Sequence, residues 1–300
     1  MRFARLPLGM LIIIFASHAQ AQTALLWKWK QSDKLTYVLE DNYSSKSGGG
    51  NLVFDLSQTL ILDTTWHVKS VGPTGEAGIV VTIERVRFTT DGKGGAAIGN
   101  ISFDSKDTTK PKSKRDEAVF NVLNSLLGSE ITLTVSAQGS VSKFDLPMRL
   151  ASTLEGNTTR ELAGFFGDAF TAGGVRHRLT NWLVALPNEP VSEKESWRED
   201  KLSRLGKSVT CVHSYTLAAP VQRDGHTLMK IDVKPELRLL VDNAGKQKIT
   251  EQDGKGVVYF DSRTGRLTES VLTHRAILET FGTTTLDAKT TVKLATEPNR

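Results

Sequence analysis

The sequence predicts an α+β fold that is mainly β, in which long antiparallel strands form one or two curved sheets and a few helices pack against them. Two observations lead to this fold class. Most of the chain alternates apolar and polar residues with a period of two, which is typical of strands with one buried face. Helical periodicity is confined to residues 116–127 and 147–186. Because strands predominate and short turns connect them, we expect antiparallel pairing.

Four segments are predicted along the chain. Residues 1–21 are a signal peptide, 22–146 an N-terminal β-rich half with one helix, 147–190 a helical connector and 191–300 a C-terminal β-rich half. The length that remains after the leader suffices for one large domain or for two of ordinary size, and the sequence leaves both open.

The first residues carry the features of an export signal. Arg2 and Arg5 flank the start of an apolar run over residues 6–16, which is shorter than the roughly 20 residues that a membrane span needs. Ala19 and Ala21 form the small-x-small pattern of a signal peptidase site. We therefore expect cleavage between Ala21 and the next residue, Gln22, and a secreted or periplasmic protein that does not span a membrane.

Strand signals dominate the first half. Residues 34–43 alternate, and residues 52–71 and 76–89 flank the turn at 72–75, which predicts a long hairpin. The amphipathic stretch 116–127 predicts a helix. Two shorter strands are expected at residues 131–135 and 141–146.

The connector is expected to form three helices. The first begins at Pro147, a threonine at 158–159 caps the second, and the third carries an apolar stripe to Leu186 before Pro187 stops it. The glycine pair at 173–174 is expected to break the chain between the second and third helices.

The connector also holds the densest aromatic cluster after the leader. The candidate ligand-binding residues are Phe165, Phe166, Phe170, Trp182 and Leu183. One interpretation is that these helices are core elements packed on a sheet. The other is that they cover an apolar cavity of about 300 Å³ or more, whose occupant would be a hydrophobic small molecule or a lipid.

The chain is β again after residue 192. Residues 226–241 alternate, and Pro235 within them predicts a sheet edge or a bulge because proline cannot donate to a strand ladder. Further strands are expected at residues 207–218, 256–261, 267–278 and 284–294. The turn at 262–265 resembles one at 137–141, so the two halves can be read as a diverged two-fold repeat.

Composition excludes several classes of protein. Removing Arg2 and Arg5 from the 38 basic residues leaves an excess of three over the 33 acidic ones, which is too small for a typical nucleic-acid-binding protein. Cys211 is the single cysteine, so an internal disulfide is impossible and the fold relies on its core.

No catalytic motif withstands inspection. Ser140 and Lys143 satisfy the S-x-x-K pattern of penicillin-recognising serine enzymes, but in a hairpin these positions face opposite sides of the sheet. Cys211 and His213 share a strand face at about 6–7 Å, too far apart for direct proton transfer, so Cys211 is expected to be a buried structural residue. The histidines after the leader are His67, His177, His213, His226 and His274. They form no local zinc motif, although a site assembled from distant strands stays open. We predict no catalytic residue, metal or cofactor.

Three stretches carry a family resemblance: TWHVKSV at 65–71 with IERVR at 83–87, LG at 127–128 with ITLTV at 131–135, and FDSRTGRL at 260–267. At these stretches the chain resembles a family of secreted bacterial proteins, common in planctomycete-type bacteria and defined as a domain of unknown function. The resemblance implies an exported β-rich protein and contributes no activity or site. The last stretch is also similar to hairpins of envelope lipoprotein carriers, a likeness of fold alone.

The sequence as a whole favours an exported protein that is not an enzyme and binds an apolar ligand or an envelope partner. The alternatives are a hydrolase whose site is dispersed over strands, and a structural or assembly protein. A deep apolar cavity would favour binding, convergent His, Asp or Glu side chains in a cleft would favour an enzyme, and neither would favour assembly.

Overall fold

The backbone is organised around one long antiparallel sheet. The structure is a computed structural model, and it describes residues 22–49, 52–93, 100–107, 110–166, 170–202, 209–239, 248–279 and 282–295. The strands of the first half are β1 (Lys34–Gly49), β2 (Leu52–Val71), β3 (Ala77–Lys93), β4 (Ile101–Asp104), β5 (Glu130–Val135) and β6 (Val141–Asp145). The strands of the second half are β7 (Ser196–Leu202), β8 (Val209–Leu217), β9 (Val221–Arg223), β10 (His226–Leu239), β11 (Lys248–Asp261), β12 (Arg266–Glu279) and β13 (Thr283–Leu294). The helices are α1 (Lys114–Leu126), α2 (Met148–Glu155), α3 (Asn157–Phe166) and α4 (Ala172–Thr180).

Within the described residues, thirteen strands belong to this sheet, in the order β6-β5-β3-β2-β1-β13-β12-β11-β10-β8-β7, with β4 paired to β3 and β9 to β10. Every strand pair is antiparallel. The sheet is curved and not closed, so the predicted fold class is confirmed. The predicted long hairpin is β2–β3, and β1 joins the two halves by pairing with β13.

Strand alternation separates a buried inner face from an outer face. On β2, the side chains of Leu60, Leu62 and Trp66 are buried, as the period of two predicts. On β3, Ile79 and Val81 are fully buried on the same side. The inner face therefore needs a cover, because apolar surface of this extent is not stable in water.

The connector supplies this cover. Strand β6 lies at one end of the sheet order and β7 at the other, so the chain between them must cross the inner face. Phe166 and Phe170 pack on Phe88 of β3, with ring centroids 5.9 and 5.2 Å away. Trp182 lies 4.7 Å from the Tyr37 ring and 5.0 Å from the Trp66 ring.

The boundaries of α4 differ from the prediction at both ends. Gly173 and Gly174 do not break the chain but lie in the first turn of α4, where Thr171 Oγ1 accepts a hydrogen bond from Gly174 N at 3.0 Å. The helix ends at Thr180 rather than reaching Leu186. A capped start tolerates glycine, because the cap satisfies a backbone donor that would otherwise have no partner.

After a turn at residues 181–183, the segment that follows α4 is held by hydrogen bonds to distant elements. Lys201 Nζ donates to Leu183 O at 2.8 Å, and Trp197 Nε1 donates to Ala185 O at 2.6 Å. The backbone N–H of Leu186 donates to Gln138 O at 2.8 Å. These bonds come from distant elements, which explains why the local apolar stripe overstates the helix.

The turns that look alike in the two halves lie against one N-terminal segment. Trp27 N donates to Ala137 O at 2.8 Å, and Lys28 N donates to Gly265 O at 3.2 Å. Gly139 and Gly265 both have positive φ, at 89° and 67°. A Cβ at Gly139 would overlap the oxygen of the connector residue Val184 and lie 2.6 Å from Trp27 Nε1. The predicted signal peptide lies outside the described residues, and no helix in the described part of the chain is long and apolar enough to cross a membrane.

Replacing Trp182 by alanine is expected to lower the free energy of unfolding by about 3–5 kcal/mol, the usual cost of truncating a buried tryptophan. Trp182 is 3% exposed and contacts two aromatic rings of the sheet, whereas Met148 on α2 is 85% exposed. Met148→Ala is therefore the control and should cost less than about 0.5 kcal/mol. Urea unfolding of both variants measures this, and equal costs would contradict the packing described.

Gly139→Ala is expected to cost clearly more stability than Gly225→Ala. Both glycines have positive φ, so both substitutions carry a backbone strain of about 1 kcal/mol. At Gly225 nothing lies within 4 Å of an added Cβ, but at Gly139 the methyl group meets Trp27 and the connector. Thermal unfolding of the two variants should separate them by several degrees, and indistinguishable melting temperatures would refute the close approach.

Candidate functional site

The predicted ligand-binding residues form part of the core. Phe166, Phe170, Trp182 and Leu183 are all buried, and the first three pack against rings of the sheet. Phe165 lies in α3, and its side chain is outside the described part of the chain. Trp182 borders a small cavity of about 30 Å³ beside Leu39. The structure therefore brings the described members of this set together as packing residues.

An apolar cavity of about 110 Å³ adjoins this core, between α4 and the inner face of the sheet. Its lining residues come from α4 and from five strands, and most of them are apolar. They are Tyr43, His177, Asn181, Cys211, His213, Pro235, Leu237, Leu272, Thr273, His274, Ala276, Leu286, Ala288 and Thr290. The volume is smaller than the 300 Å³ that the sequence suggested.

Strand register builds the floor of this cavity. Every second cross-strand pair of β12 and β13 lines it: Leu272 with Thr290, His274 with Ala288, and Ala276 with Leu286. Facing side chains of an antiparallel pair lie about 5 Å apart and would normally fill the space above them. Ala276 and Ala288 are too short to do so, and they leave the space open.

Two glycines of β11 make room for side chains that line the cavity. Gly254 pairs with His274 and Gly256 with Leu272, so both occupy inner-face positions of β11. A Cβ at Gly256 would overlap the Leu272 side chain, and one at Gly254 would lie 2.5 Å from Pro235 O. Glycine inside a strand marks a close approach of another group, and here it allows the lining side chains of β10 and β12 to enter.

Strand β10 separates from β11 beside the cavity. Their ladder ends at the pair Val233–Gly256, whereas β10 stays paired with β8 through Pro235 as far as Leu239. The sheet edge that Pro235 predicted is therefore found on the side of β10 that faces β11. The Gln252 amide partly replaces the ladder, because its Oε1 accepts from Leu237 N at 2.8 Å and its Nε2 donates to Leu237 O at 3.1 Å.

A buried ion pair fixes α4 above the cavity. Arg178 Nε lies 3.1 Å from Asp41 Oδ2 of β1, and the two side chains are 9% and 7% exposed. Thr290 Oγ1 donates to the other carboxylate oxygen at 3.1 Å. Because a buried ion pair is strongly destabilised when one partner moves away, this contact holds His177 of the same helix, and Asn181 directly after it, over the cavity.

Three imidazoles converge on the cavity, from α4 (His177), β8 (His213) and β12 (His274). Burial, the nearby Lys201 cation and the other two histidines together lower the pKa of His213 to about 3, and burial has the largest effect. Burial also lowers the pKa of His274, against the opposing effect of Asp253. At neutral pH His213 and His274 are therefore uncharged. In the described part of the chain, no group of three or more His, Cys, Asp or Glu side chains is placed to hold a metal ion.

A buried polar network stands behind His213. The register of β7 and β8 places Glu199 opposite His213 and Lys201 opposite Cys211. Lys201 Nζ lies 2.5 Å from Glu199 Oε2, and Tyr215 Oη donates to the same oxygen at 3.4 Å. Tyr215 Oη also lies 3.3 Å from His213 Nδ1. The sequence did not lead us to Glu199 and Lys201. They occupy every second position after Trp197 on β7 and so share its face of the strand, and this was the available signal.

Cys211 is a free, buried cysteine, as predicted. Burial raises the pKa of its thiol to about 11, although Lys201 acts in the opposite direction. A thiol with this pKa is protonated at neutral pH and is a weak nucleophile. Cys211 therefore serves as part of the cavity wall.

A wider polar depression of about 380 Å³ adjoins the cavity and shares Tyr43, His274 and Ala288 with it. Charged residues of both signs line it, including Asp253, Arg275, Asp287 and Lys289. These charges make it less suitable for an apolar group than the smaller cavity, which is therefore the candidate site.

Comparison with known proteins gives similarity of fold. By sequence, the chain matches no protein-family model and no curated protein. Among solved structures, it is similar to lipovitellin in a structure that describes lipid–protein interactions, with a TM-score of 0.53, 10% identity, 90% of this chain covered and 26% of that chain. The chain thus spans about a quarter of the length of the lipovitellin chain.

An outer membrane channel from Pseudomonas putida F1 matches with 8% identity and a TM-score of 0.29, over 93% of this chain and 98% of that chain, which is too weak to support an argument. The same holds for a protein from Desulfovibrio piger that belongs to a family with a domain of unknown function, at 9% identity and a TM-score of 0.17, over 87% of each chain.

His213 is expected to make the protein less stable as the pH falls from 6.5 towards 3. In this range the unfolded chain takes up a proton at residue 213 that the folded protein does not, because burial lowers the pKa of His213 from 6.5 to about 3. One such group costs at most about 1.4 kcal/mol per pH unit. Between pH 7.5 and pH 5.0, His213→Gln should therefore lose about 2 kcal/mol less unfolding free energy than the native protein.

The control for this experiment is His226→Gln, because His226 is exposed on β10 and does not line the cavity. It should follow the pH dependence of the native protein. Urea unfolding at the two pH values gives the change in unfolding free energy for the native protein and for both variants. If His213→Gln shows the same change as the native protein, residue 213 is not a buried neutral imidazole.

Proposed function

We propose that this protein binds an apolar ligand in the 110 Å³ cavity between α4 and the inner face of the sheet. The observation that carries the proposal is an accessible space whose floor includes the short side chains of Ala276 and Ala288, where larger side chains would have completed the core. Proteins normally fill such space, because cavities in a core cost stability. A preserved apolar space that opens beside β10 supports occupancy by a ligand.

The size of the cavity limits what can enter. An engineered cavity of about 150 Å³ in another protein accepts benzene. A cavity of 110 Å³ therefore suits one aromatic ring or a short length of aliphatic chain. A larger lipid would place only one apolar end here and leave the remainder along the open side of the site.

Two further points support a binding role. The fold is similar to part of lipovitellin, whose structure concerns lipid–protein interactions. The predicted signal peptide would deliver the protein to the envelope or the exterior, where a carrier or receptor for apolar compounds would act. We include both in the proposal: an exported protein that binds, and does not transform, a hydrophobic small molecule or one end of a lipid.

The competing hydrolase hypothesis has less support at this site. The only cysteine in the wall has a raised pKa, near 11, and so lacks thiolate character. His213 has a pKa of about 3, far below the range in which a histidine shuttles protons at neutral pH. The pair therefore lacks an activated nucleophile and an effective base.

Toluene is a suitable probe for this cavity. We expect saturable binding that raises the melting temperature, with a stabilisation of about 1.4 kcal/mol when the free toluene concentration is ten times its Kd. Differential scanning calorimetry with increasing toluene measures this. Ala288→Leu should abolish the effect, because the longer side chain fills the floor beside His274.

The matched control is Ala219→Leu, the same substitution at an exposed position after β8. This variant should bind toluene as the native protein does. Failure of toluene to stabilise the native protein, or unchanged binding in Ala288→Leu, would refute the proposed site.

A further inference from the structure

The polar network behind His213 determines which nitrogen of the ring carries the proton. Glu199 is ion-paired with Lys201, so its carboxylate can only accept hydrogen bonds. The Tyr215 hydroxyl has a single proton and donates it to Glu199. Tyr215 Oη can then only accept from His213, which requires the proton on Nδ1.

The other nitrogen of His213 is consequently a hydrogen-bond acceptor. A neutral imidazole carries one N–H, so a proton on Nδ1 leaves Nε2 with a free lone pair. His213 is 3% exposed and lines the cavity, and its Nε2 has no hydrogen-bond partner among the described residues. This nitrogen therefore offers an unused acceptor at the cavity wall, and a ligand group that donates a hydrogen bond would satisfy it.

His274 adds a second polar position to the same cavity. Its Nε2 is buried and has no hydrogen-bond partner in the described part of the chain. It lies on β12, and β11 and β10 separate this strand from the β8 strand that carries His213. The apolar floor therefore has polar atoms on two sides, which suits an amphiphile better than a pure hydrocarbon.

We propose that the ligand of this cavity is a neutral amphiphile whose hydroxyl group donates a hydrogen bond to His213 Nε2, an inference that rests on the binding function proposed above. The chemical class is an alcohol or a phenol on an apolar body. An ether of the same shape has no proton to donate. A carboxylate would be buried against two uncharged imidazoles, which do not compensate its charge.

Three small probes that share one methyl-substituted ring test the recognition of the hydroxyl group. They are p-cresol, 4-methylanisole and 4-methylbenzoate, which present a hydroxyl, a methoxy and a carboxylate group on one apolar ring. For the native protein we expect p-cresol to bind about tenfold more tightly than 4-methylanisole, the effect of one good hydrogen bond. We expect 4-methylbenzoate to bind more weakly than p-cresol. Isothermal titration calorimetry gives the three dissociation constants.

Tyr215→Phe tests the role of the network. Without the Tyr215 hydroxyl, nothing holds the proton on Nδ1, so the preference for p-cresol over 4-methylanisole should fall to about threefold or less. Binding of toluene should not change, which separates this effect from a general loss of packing. The control is Tyr259→Phe, because Tyr259 does not line the cavity. The Arg223 Cζ atom lies over its ring, 3.9 Å from the ring centroid.

The proton position can also be read directly in the native protein, independently of any variant. Long-range ¹H–¹⁵N correlation spectra distinguish the two neutral forms of a histidine, and we expect the Nδ1–H form for His213. The Nε2–H form would overturn the inference, as would equal affinities for p-cresol and 4-methylanisole. If toluene binds but the hydroxyl preference is absent, this inference fails and the proposed function stands. If no probe binds, both fail.

Discussion

The position of the connector against the sheet depends on the contacts of the Trp27 indole ring. It meets Trp182 of the connector at 6.2 Å and Phe260 of β11 at 5.4 Å, both edge-on. Its Nε1 donates to Val184 O at 3.1 Å, and its backbone N–H donates to Ala137 O in the β5–β6 turn. A buried indole N–H requires an acceptor, so the connector must present a carbonyl at this place. One side chain near the predicted mature N-terminus therefore fixes the connector against both halves of the sheet.

The crossing of the connector explains where the sheet is covered and where it is not. Aromatic side chains from α3 and from the segment after α4 fill the space over β1, β2 and β3. Beyond Thr180 the helix ends, and the chain runs to β7 at the far end of the sheet. Over β12 and β13 the inner face carries the short side chains of Ala276 and Ala288, so cover and floor both recede at the same place. The cavity is the result, and the buried pair Arg178–Asp41 prevents α4 from moving down to close it.

Sequence reasoning predicted the features that depend on the local sequence and missed those that depend on contacts between distant elements. The period-two pattern predicted the β2–β3 hairpin and the buried Cys211, because side-chain direction in a strand depends only on position. It could not locate the cavity, since this depends on the pairing of β12 with β13 and on β8 lying beside β10. The length of α4 was overstated because the Leu186 N–H, which a longer helix would have paired with Trp182 O, donates instead to Gln138 O. The inner-face glycines 254 and 256 were a usable signal, since strand glycines mark close approaches.

The network of Lys201, Glu199 and Tyr215 is hard to explain by stability alone. Burial lowers the pKa of Lys201, which reports the cost of keeping its charge away from water, and the ion pair with Glu199 offsets part of that cost. Replacing a buried ion pair by packed apolar residues is often neutral or stabilising. Lys201 does hold Leu183 O, but Trp27 and Trp197 hold the two following carbonyls with neutral donors. What the charges add is a fixed acceptor for the Tyr215 proton, and through it a defined protonation of the one deeply buried imidazole in the cavity wall. The placement of this polar network against a largely apolar space therefore supports the binding function proposed above.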